Sequence, residues 1–250
     1  MADEDISEEV YFEPFNSPTL PPFIPTPSAS KKPTDDFSTL PLGAHTLFYL
    51  AIIAPHTDTY EIHGPATSFS HLLPRLEDVV SNSPRAIDKL EVIRNIEDVW
   101  GDKEKNLEFA ERGFGTFVVE GQRGIYTVLK ILREENRRVR EELPAPVYVV
   151  SAHGPLVNEV GYVATTRLVG AFVGQRDAKG AAVRAMDEMV QGRKVSKRSE
   201  YWGKESKGGG MLMAMGAARR WEVRIAYEDQ VHKRAKEEAE REGESVGWRI

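Results

Sequence analysis

The sequence predicts an α+β fold built on a ferredoxin-like split β-α-β core, and a repeated phrase is the main reason. Residues 115–123 read GTFVVEGQR, and residues 170–176 read GAFVGQR. Each copy is an apolar run typical of a strand, followed by a Gly-Gln-Arg turn and then by a helical pattern. The repeat predicts two equivalent strands, 115–120 and 166–173, that are neighbours in one sheet and lead into helices on the same face.

The order of the predicted elements is the second reason. From residue 115 onward, hydrophobic periodicity predicts β-α-β-β-α-β and then a last helix, which is the split β-α-β order. Besides the repeated pair, we predict strands over residues 147–152 and 220–228. Helices are predicted over residues 124–141, 178–190 and 229–242.

The segment before this core predicts an N-terminal extension. An apolar run at residues 46–54 predicts a buried strand, which Pro55 ends, and a polar loop follows through residues 63–65. Two helices are predicted next, one ending near residue 80 and one beginning at Ser83-Pro84. We therefore divide the chain into an arm, an extension that packs on the core, and the core itself, at residues 1–42, 43–112 and 113–250.

The arm is acidic and rich in proline. Eight prolines lie within residues 1–42, and these residues carry eight acidic but only two basic side chains. Proline fixes φ and removes a hydrogen-bond donor, so neither a helix nor a central strand propagates here, and we predict a disordered arm. Its segment LPPFIPTP, residues 20–27, has polyproline character. This segment serves either as a solubilising linker or as a ligand for an aromatic groove of a protein partner.

Composition narrows the class of protein. The chain has no cysteine, which excludes disulfides, thiol nucleophiles and cysteine-based metal sites. The arm carries the whole net charge of −6, so the remaining residues are balanced, which argues against a broad nucleic-acid-binding surface. No basic-then-apolar leader is visible, and the longest apolar run, residues 47–54, is far shorter than a membrane helix. We expect a soluble intracellular protein, cytoplasmic or nuclear, without membrane contact and without a cofactor.

Histidines are the first candidates for chemistry because imidazole titrates near neutral pH. His56, His63 and His71 lie in one stretch beside acidic residues, but their spacing does not match a helical zinc motif, and we predict no metal site. His153 follows a predicted strand, a position common for catalytic groups. His63 and His153 each begin a His-Gly-Pro tripeptide, in which a turn explains the glycine and the proline but not the histidine. These two histidines are the candidates for catalysis.

Arginine and lysine supply the candidates for ligand binding. Arg123 and Arg176 end the two Gly-Gln-Arg turns, at predicted helix N-termini where free N–H groups attract anions, although the spacing matches no phosphate-binding motif. Residues 191–210 are predicted to form a flexible basic loop. Basic residues interleaved with rings are typical of single-stranded nucleic-acid binders, and here they are Lys197, Arg198, Trp202 and Lys204.

Three functions remain open on the sequence alone. The leading one is a non-catalytic binding or interaction module with a protein partner, since no nucleotide-binding, hydrolase, kinase or zinc motif is present. The alternatives are nucleic-acid binding through residues 193–207, and a small enzyme that uses His153 or the region of His56, His63 and His71. A pocket that holds His153 beside a carboxylate favours the enzyme, a continuous basic face favours nucleic acid, and an exposed apolar patch favours a protein partner.

Overall fold

Two antiparallel sheets stack face to face in this protein, and helices cover the outer face of each. The computed structural model describes residues 33–38, 41–57, 59–94, 109–121, 124–154, 166–203, 209–216 and 219–230. Over these residues the fold is mixed α+β, as predicted, with nine strands and several helices. The order of the layers is helix, sheet, sheet, helix, and we call the face that each sheet turns toward the other its inner face.

The first sheet comes from the N-terminal half of the described chain. Its elements are β1 (Thr46–Ala54), β2 (Thr59–Ala66), α1 (Leu73–Val80), α2 (Pro84–Arg94), β3 (Thr116–Glu120) and β4 (Tyr126–Glu135). The strand order is β2-β1-β4-β3. Strand β1 is apolar along its whole length because both of its faces are covered. Phe48 and Leu50 pack under the helices, whereas Leu47 and Tyr49 pack on the second sheet.

The second sheet comes from the C-terminal half. Its elements are α3 (Arg137–Glu142), which links the halves, then β5 (Val147–His153), β6 (Thr166–Phe172), α4 (Gln175–Val190), β7 (Lys197–Trp202), β8 (Gly210–Gly216) and β9 (Arg219–Glu228). The strand order is β6-β5-β9-β8-β7. Alanines on one side of α4 allow the helix to lie close to the outer face of this sheet, above Val150 and Val223. Val147 and Val149 alternate with Val150 and therefore reach the inner face, against Leu47 and Tyr49.

Both halves use the same arrangement of strands. Each half begins with a two-stranded hairpin, continues with helix and ends with further strands. The last strand of each half pairs with its first strand, so β4 lies beside β1 and β9 lies beside β5. The order β2-β1-β4-β3 thus corresponds to β6-β5-β9-β8, and β7 is an addition at the edge of the second sheet. The chain does contain a structural repeat, but it relates whole halves rather than the two phrases that suggested it.

The two repeated phrases do not mark neighbouring strands of one sheet, so that prediction is wrong. The strands that carry the two phrases, β3 and β6, lie in different sheets. The helix predicted over residues 124–141 is mostly strand β4, which pairs with β1 on one side and β3 on the other, and only its end is helical, as α3. After β3 the chain turns back on itself, since Gly121 N–H donates to Ile125 C=O, so Gly121 lies at the start of a hairpin rather than before a helix. The ferredoxin-like split core is therefore not confirmed.

Two predicted loops are partly strand in the structure, and most of the other predicted elements are present. The loop expected through residues 63–65 lies inside β2, and part of the basic loop expected at 191–210 is the edge strand β7. Most of the helix predicted at 229–242 lies outside the described residues. The structure confirms the strands predicted at the positions of β1, β5, β6 and β9 and the helices predicted at the positions of α1, α2 and α4.

Residues 33–38, at the end of the predicted arm, lie along the free edge of β3. Asp36 pairs with Thr116, and the Asp35 carboxylate accepts hydrogen bonds from Val118 N–H and from the Lys89 ammonium, both at 2.8 Å. The Phe37 ring meets the Phe117 ring edge-on at 6.2 Å. This short segment therefore belongs to the folded body.

Two truncations are expected to differ in stability. Deletion of residues 1–32 should leave the free energy of unfolding unchanged, because that segment is the proline-rich part of the sequence. Deletion of residues 1–38 should lower it by about 1–2 kcal/mol, since the contacts of Asp35 and Asp36 to β3 are lost. Urea unfolding followed by circular dichroism measures both. Equal stability of the two truncated chains would contradict the role given to residues 33–38.

Candidate functional site

The second sheet is wider than the first, and among the residues that the structure describes, the first sheet covers only part of its inner face. Sheet-to-sheet packing reaches β5 and β6, where Val147, Val149 and Ala171 are buried against the first sheet. Strands β8 and β7 lie farther along the sheet and carry exposed side chains on the same face. We call this surface the open face, and its residues are Lys197, Tyr201, Met211, Met213, Met215 and Arg224.

The pairing register places these side chains on one face. Residues directly opposite each other in an antiparallel pair point to the same side of the sheet. One row across the sheet therefore contains Ser151, Arg224, Met211 and Tyr201. The next row contains His153, Glu222, Met213 and Ser199, and the third contains Arg220, Met215 and Lys197.

The edge of the first sheet meets these rows at a polar cluster. The Tyr60 ring of β2 stacks on the His153 ring, with 3.3 Å between centroids and 20° between planes. The Tyr60 hydroxyl donates a hydrogen bond to the Glu222 carboxylate. Arg224 donates to the same carboxylate from Nε at 3.1 Å and Nη2 at 2.8 Å, and Arg220 Nε lies 3.0 Å from its other oxygen. The Arg224 guanidinium also covers the Tyr60 ring at 4.2 Å.

This cluster holds a charge in a buried position. The Glu222 side chain is only 6 % exposed. Burial by itself raises the pKa of the Glu222 carboxyl, but the hydrogen bonds from Tyr60 and Arg224 and the charges of Arg224 and Arg220 outweigh it, so the pKa lies below its usual value. Burial and the bond to Glu222 raise the pKa of the Tyr60 hydroxyl. Glu222 is therefore ionised and Tyr60 neutral at physiological pH.

His153 is buried in the same polar cluster. Its Nε2 lies 2.9 Å from the Ser151 hydroxyl, and its Nδ1 lies 3.3 Å from the Thr166 hydroxyl. Burial, with a smaller contribution from the Arg224 charge, lowers the pKa of His153 to about 2. An efficient general base has a pKa near the working pH. Both ring nitrogens have hydroxyl partners and the ring is neutral, so the geometry suits a structural role for His153 better than proton transfer.

A small cleft opens where the covered part of the sheet ends. It has a volume of about 270 Å³ and lies between β2 and the second sheet. Its walls come from both sheets: Tyr60, Glu61, Ile62 and His63 of β2, and Val149, Ser151, His153, Arg224, Ala226 and Glu228 of the second sheet. Arg224 is common to the cleft and the open face, so the two form one continuous surface.

Neither His63 nor His71 bonds to the buried cluster, although His63 lines the same cleft as His153. His63 lies on β2 and contacts Glu61 at 2.9 Å, and Arg75 of α1 bonds the same carboxylate on the outer face of the first sheet. His71 Nδ1 lies 3.2 Å from the Ser68 hydroxyl, and the side chain of His56 lies outside the described residues. Across the described ranges, no three His, Cys, Asp or Glu side chains come together in a way that suits a metal ion.

The two His-Gly-Pro glycines have a packing explanation. Gly64 and Gly154 adopt φ values of +128° and +133°, which side chains rarely allow. A Cβ at Gly64 would lie 2.7 Å from the Phe48 carbonyl oxygen, and one at Gly154 would lie 2.5 Å from that of Arg220. Each glycine thus lets two strands approach, and the two tripeptides occupy different sheets.

The residues predicted to bind nucleic acid do not lie on one face of the second sheet. Lys197 lies on the open face, whereas Arg198 points to the outer face and contacts Asp187 of α4 at 2.7 Å. Trp202 also faces α4, where Lys179 covers its ring at 5.2 Å. Arg176 lies in the first turn of α4 beside a shallow surface depression. Arg123 and Lys204 lie outside the described residues.

Most residues of the polar cluster were not predicted from the sequence. Glu222 and Arg224 fall on the charged side of an alternating strand pattern, which is typical of a solvated face, and Tyr60 fell in a predicted loop. The methionine alternation of residues 211–215 is visible in the sequence and was the one available signal for the open face.

Comparisons with protein-family models, with curated proteins and with solved structures give no match for this chain. In the part of the chain that the structure describes, no helix has the length and apolar character needed to cross a membrane.

Proposed function

We propose that this protein is a non-catalytic interaction module, which binds an acidic, extended segment of a partner protein beside its open face. The observation that carries the proposal is the apolar group on one side of the second sheet, in which Tyr201 and Met215 are exposed and Met211 and Met213 are half-buried. Tyr201 is 66 % exposed and Met215 is 41 % exposed. Contiguous exposed apolar side chains mark interaction sites, and methionine adapts its shape to a partner.

The charge of the open face favours an acidic partner. Lys197, Arg220 and Arg224 lie on this side of the sheet, and Glu222, which lies between the two arginines, is buried and bound by both. Two further carboxylates, Glu61 and Glu228, line the adjoining cleft. Within the three rows that contain the methionines, the three cations outnumber Glu222, so positive charge is in excess there, although not at the cleft. Carboxylates on the partner complement this charge, and they also speed the encounter at low salt.

The edge of the sheet favours an extended segment. Strand β7 ends the strand order of the second sheet, and it pairs only with β8 among the described strands. An exposed edge strand offers unpaired N–H and C=O groups to an added strand. In that position an acidic side chain of the partner lies opposite Lys197 and an apolar one opposite Tyr201, while neighbouring parts of the partner cover the methionines.

The two alternative functions have less support. The cleft does hold His153 together with the carboxylates of Glu61 and Glu228, which favours the enzyme. An enzyme also needs a group that exchanges protons near neutral pH, whereas His153 is buried, neutral and bonded to Ser151 and Thr166. Nucleic-acid binding needs several stacking rings, whereas Tyr201 is the one exposed ring on the described part of this face. Arg198 and Trp202 both turn toward α4 instead.

Labelled peptides test the proposal directly. Two fluorescent peptides of about 16 residues are compared by anisotropy. Each has a strand of about eight residues, with Leu and a charged residue four positions apart on one face to meet Tyr201 and Lys197, and a Leu-rich second half to cover the methionines. The charged residues are Glu in one peptide and Lys in the other. The acidic peptide should bind at least about tenfold more tightly, with the difference shrinking as salt is raised. Lys197→Glu should weaken the acidic peptide about fivefold, because the charge beside the edge strand is reversed.

A matched control separates this face from charge in general. Arg138 of α3 is an exposed arginine far along the chain from β7, so Arg138→Glu should leave the binding of the acidic peptide unchanged. An oligothymidine of about ten nucleotides forms a third arm of the titration. Tighter binding of the oligonucleotide than of the acidic peptide, or equal binding of both peptides, would overturn the proposal.

A further inference from the structure

The methionines of the described chain fall into two groups with opposite surroundings. Met186 and Met189 lie on the buried side of α4, with exposed fractions of 0 % and 4 %. Met211, Met213 and Met215 alternate along β8. Alternation places all three on the inner side of the sheet, in the part that the first sheet leaves uncovered.

The three methionines of β8 differ in solvent exposure, and the residues between them are buried. Leu212 and Ala214, between them in sequence, are fully buried under α4, which fixes the strand and its register. Met215 is 41 % exposed, while Met211 and Met213 are half-buried. The thioether groups are therefore presented to solvent by a rigid strand rather than by a loop.

We infer that Met211, Met213 and Met215 form an oxidation site at which peroxide converts the apolar centre of the open face into a polar one. A lone pair of the methionine Sδ attacks one oxygen of hydrogen peroxide, an S–O bond forms and the O–O bond breaks. The attacked oxygen gives up its proton, the second oxygen takes up a proton, and that second oxygen leaves as water. The sulfur loses two electrons and becomes a sulfoxide, and the peroxide is reduced.

The methionines of β8 face no competition for peroxide from cysteine. The sequence contains no cysteine, so no thiolate competes for the oxidant. Exposure controls access, so Met215 should react first, then Met211 and Met213, while Met186 and Met189 are protected by the core. Methionine sulfoxide is also reversible by reductases, which makes such a site able to return to the apolar state.

The effect on binding rests on the proposed function. A sulfoxide is polar and chiral, and it disrupts apolar contacts of methionine-rich interfaces. Three of them at the centre of the open face should weaken an apolar partner about fivefold or more. The oxidation of the three residues themselves depends only on the fold and not on any partner.

Mass spectrometry of the full-length chain tests the site. Purified protein is treated with hydrogen peroxide, and sulfoxide at each methionine is measured against time. Met215 should be oxidised at least about tenfold faster than Met186, since reaction of a core methionine requires opening of the structure. Equal rates at the strand and core methionines, while circular dichroism shows the protein still folded, would overturn the inference.

A variant with three leucines connects the site to binding. Met211→Leu, Met213→Leu and Met215→Leu together keep the face apolar but remove its sulfur atoms, so volume is nearly conserved. Peroxide should weaken the binding of the acidic Leu–Glu peptide to the natural chain and leave the leucine variant unaffected. If oxidation follows the expected order but the untreated protein binds no peptide, the oxidation site stands and the proposed function fails. If peroxide weakens binding equally in both proteins, the methionines are not the responsible groups and the inference fails.

Discussion

Replacing Glu222 with alanine is expected to lower the free energy of unfolding by about 3 kcal/mol. The substitution removes the acceptor of the buried Tyr60 hydroxyl and the shared partner of Arg220 and Arg224. Glu222→Gln keeps an acceptor for Tyr60 but removes the charge, so it should cost less than alanine does. Urea unfolding at neutral pH measures both variants.

A second variant shows whether the loss comes from this contact. Tyr60→Phe removes only the hydroxyl and keeps the ring on His153, so the double variant Tyr60→Phe, Glu222→Ala should be less destabilised than the sum of the two single variants by about 1 kcal/mol. Glu200 on the exposed strand β7 is the matched control, and Glu200→Ala should change stability by less than about 0.5 kcal/mol. Similar losses for Glu222→Ala and Glu200→Ala would contradict a stabilising role for the cluster.

Acid should destabilise the protein through His153. In the unfolded chain an imidazole has its ordinary pKa of 6.5, whereas in the fold the pKa of His153 is lowered to about 2. Between these values the unfolded state binds one more proton than the folded state, so stability falls as pH falls below 6.5. From pH 7.5 to 4.5 this residue should remove about 2.5 kcal/mol, at a limiting slope of about 1.4 kcal/mol per pH unit.

Comparison with a variant that cannot titrate isolates this effect. His153→Gln retains an amide able to bond the Ser151 and Thr166 hydroxyls but has no ionisable group. Its loss of stability over the same pH range should be smaller than that of the natural chain by about 2.5 kcal/mol. The lowered pKa of Glu222 also makes acid destabilising, but it acts in both proteins and cancels in the difference. Parallel stability curves for the two proteins would refute a buried neutral His153.

The fold class and many elements could be predicted from local patterns, and the failures have a common cause. Strand β1 and helix α4 were predicted correctly because an uninterrupted apolar run and an alanine-rich helical stripe are local signals. Strand β4 was taken for a helix because it is buried on both faces, so its apolar residues show no clean alternation. Periodicity alone does not separate such a strand from a buried helix, and the predicted topology failed with it.

The candidate site could be predicted only in fragments. The position of His153 at a strand end was correct, but its neighbours Tyr60 and Thr166 come from other strands, and no local pattern pairs them. The buried state of Glu222 depends on how far β2 reaches across the second sheet, which is a property of the stacked sheets. Exposure of the methionines depends on the extra width of that sheet for the same reason.

The pairing of first and last strands within each half also has a consequence during synthesis. Strand β5 finds its neighbour β9 only after roughly 80 further residues have been added, and contacts of such long sequence separation slow folding. At a ribosomal rate of about 5–20 residues per second, that interval lasts roughly 4–16 s. During this time the nascent β5–β6 hairpin lacks the strand that completes its hydrogen bonds, so the free edge of β5 is exposed to the cell. We therefore expect the newly made chain to depend on chaperones in this window and to lose that dependence once β9 has left the ribosome.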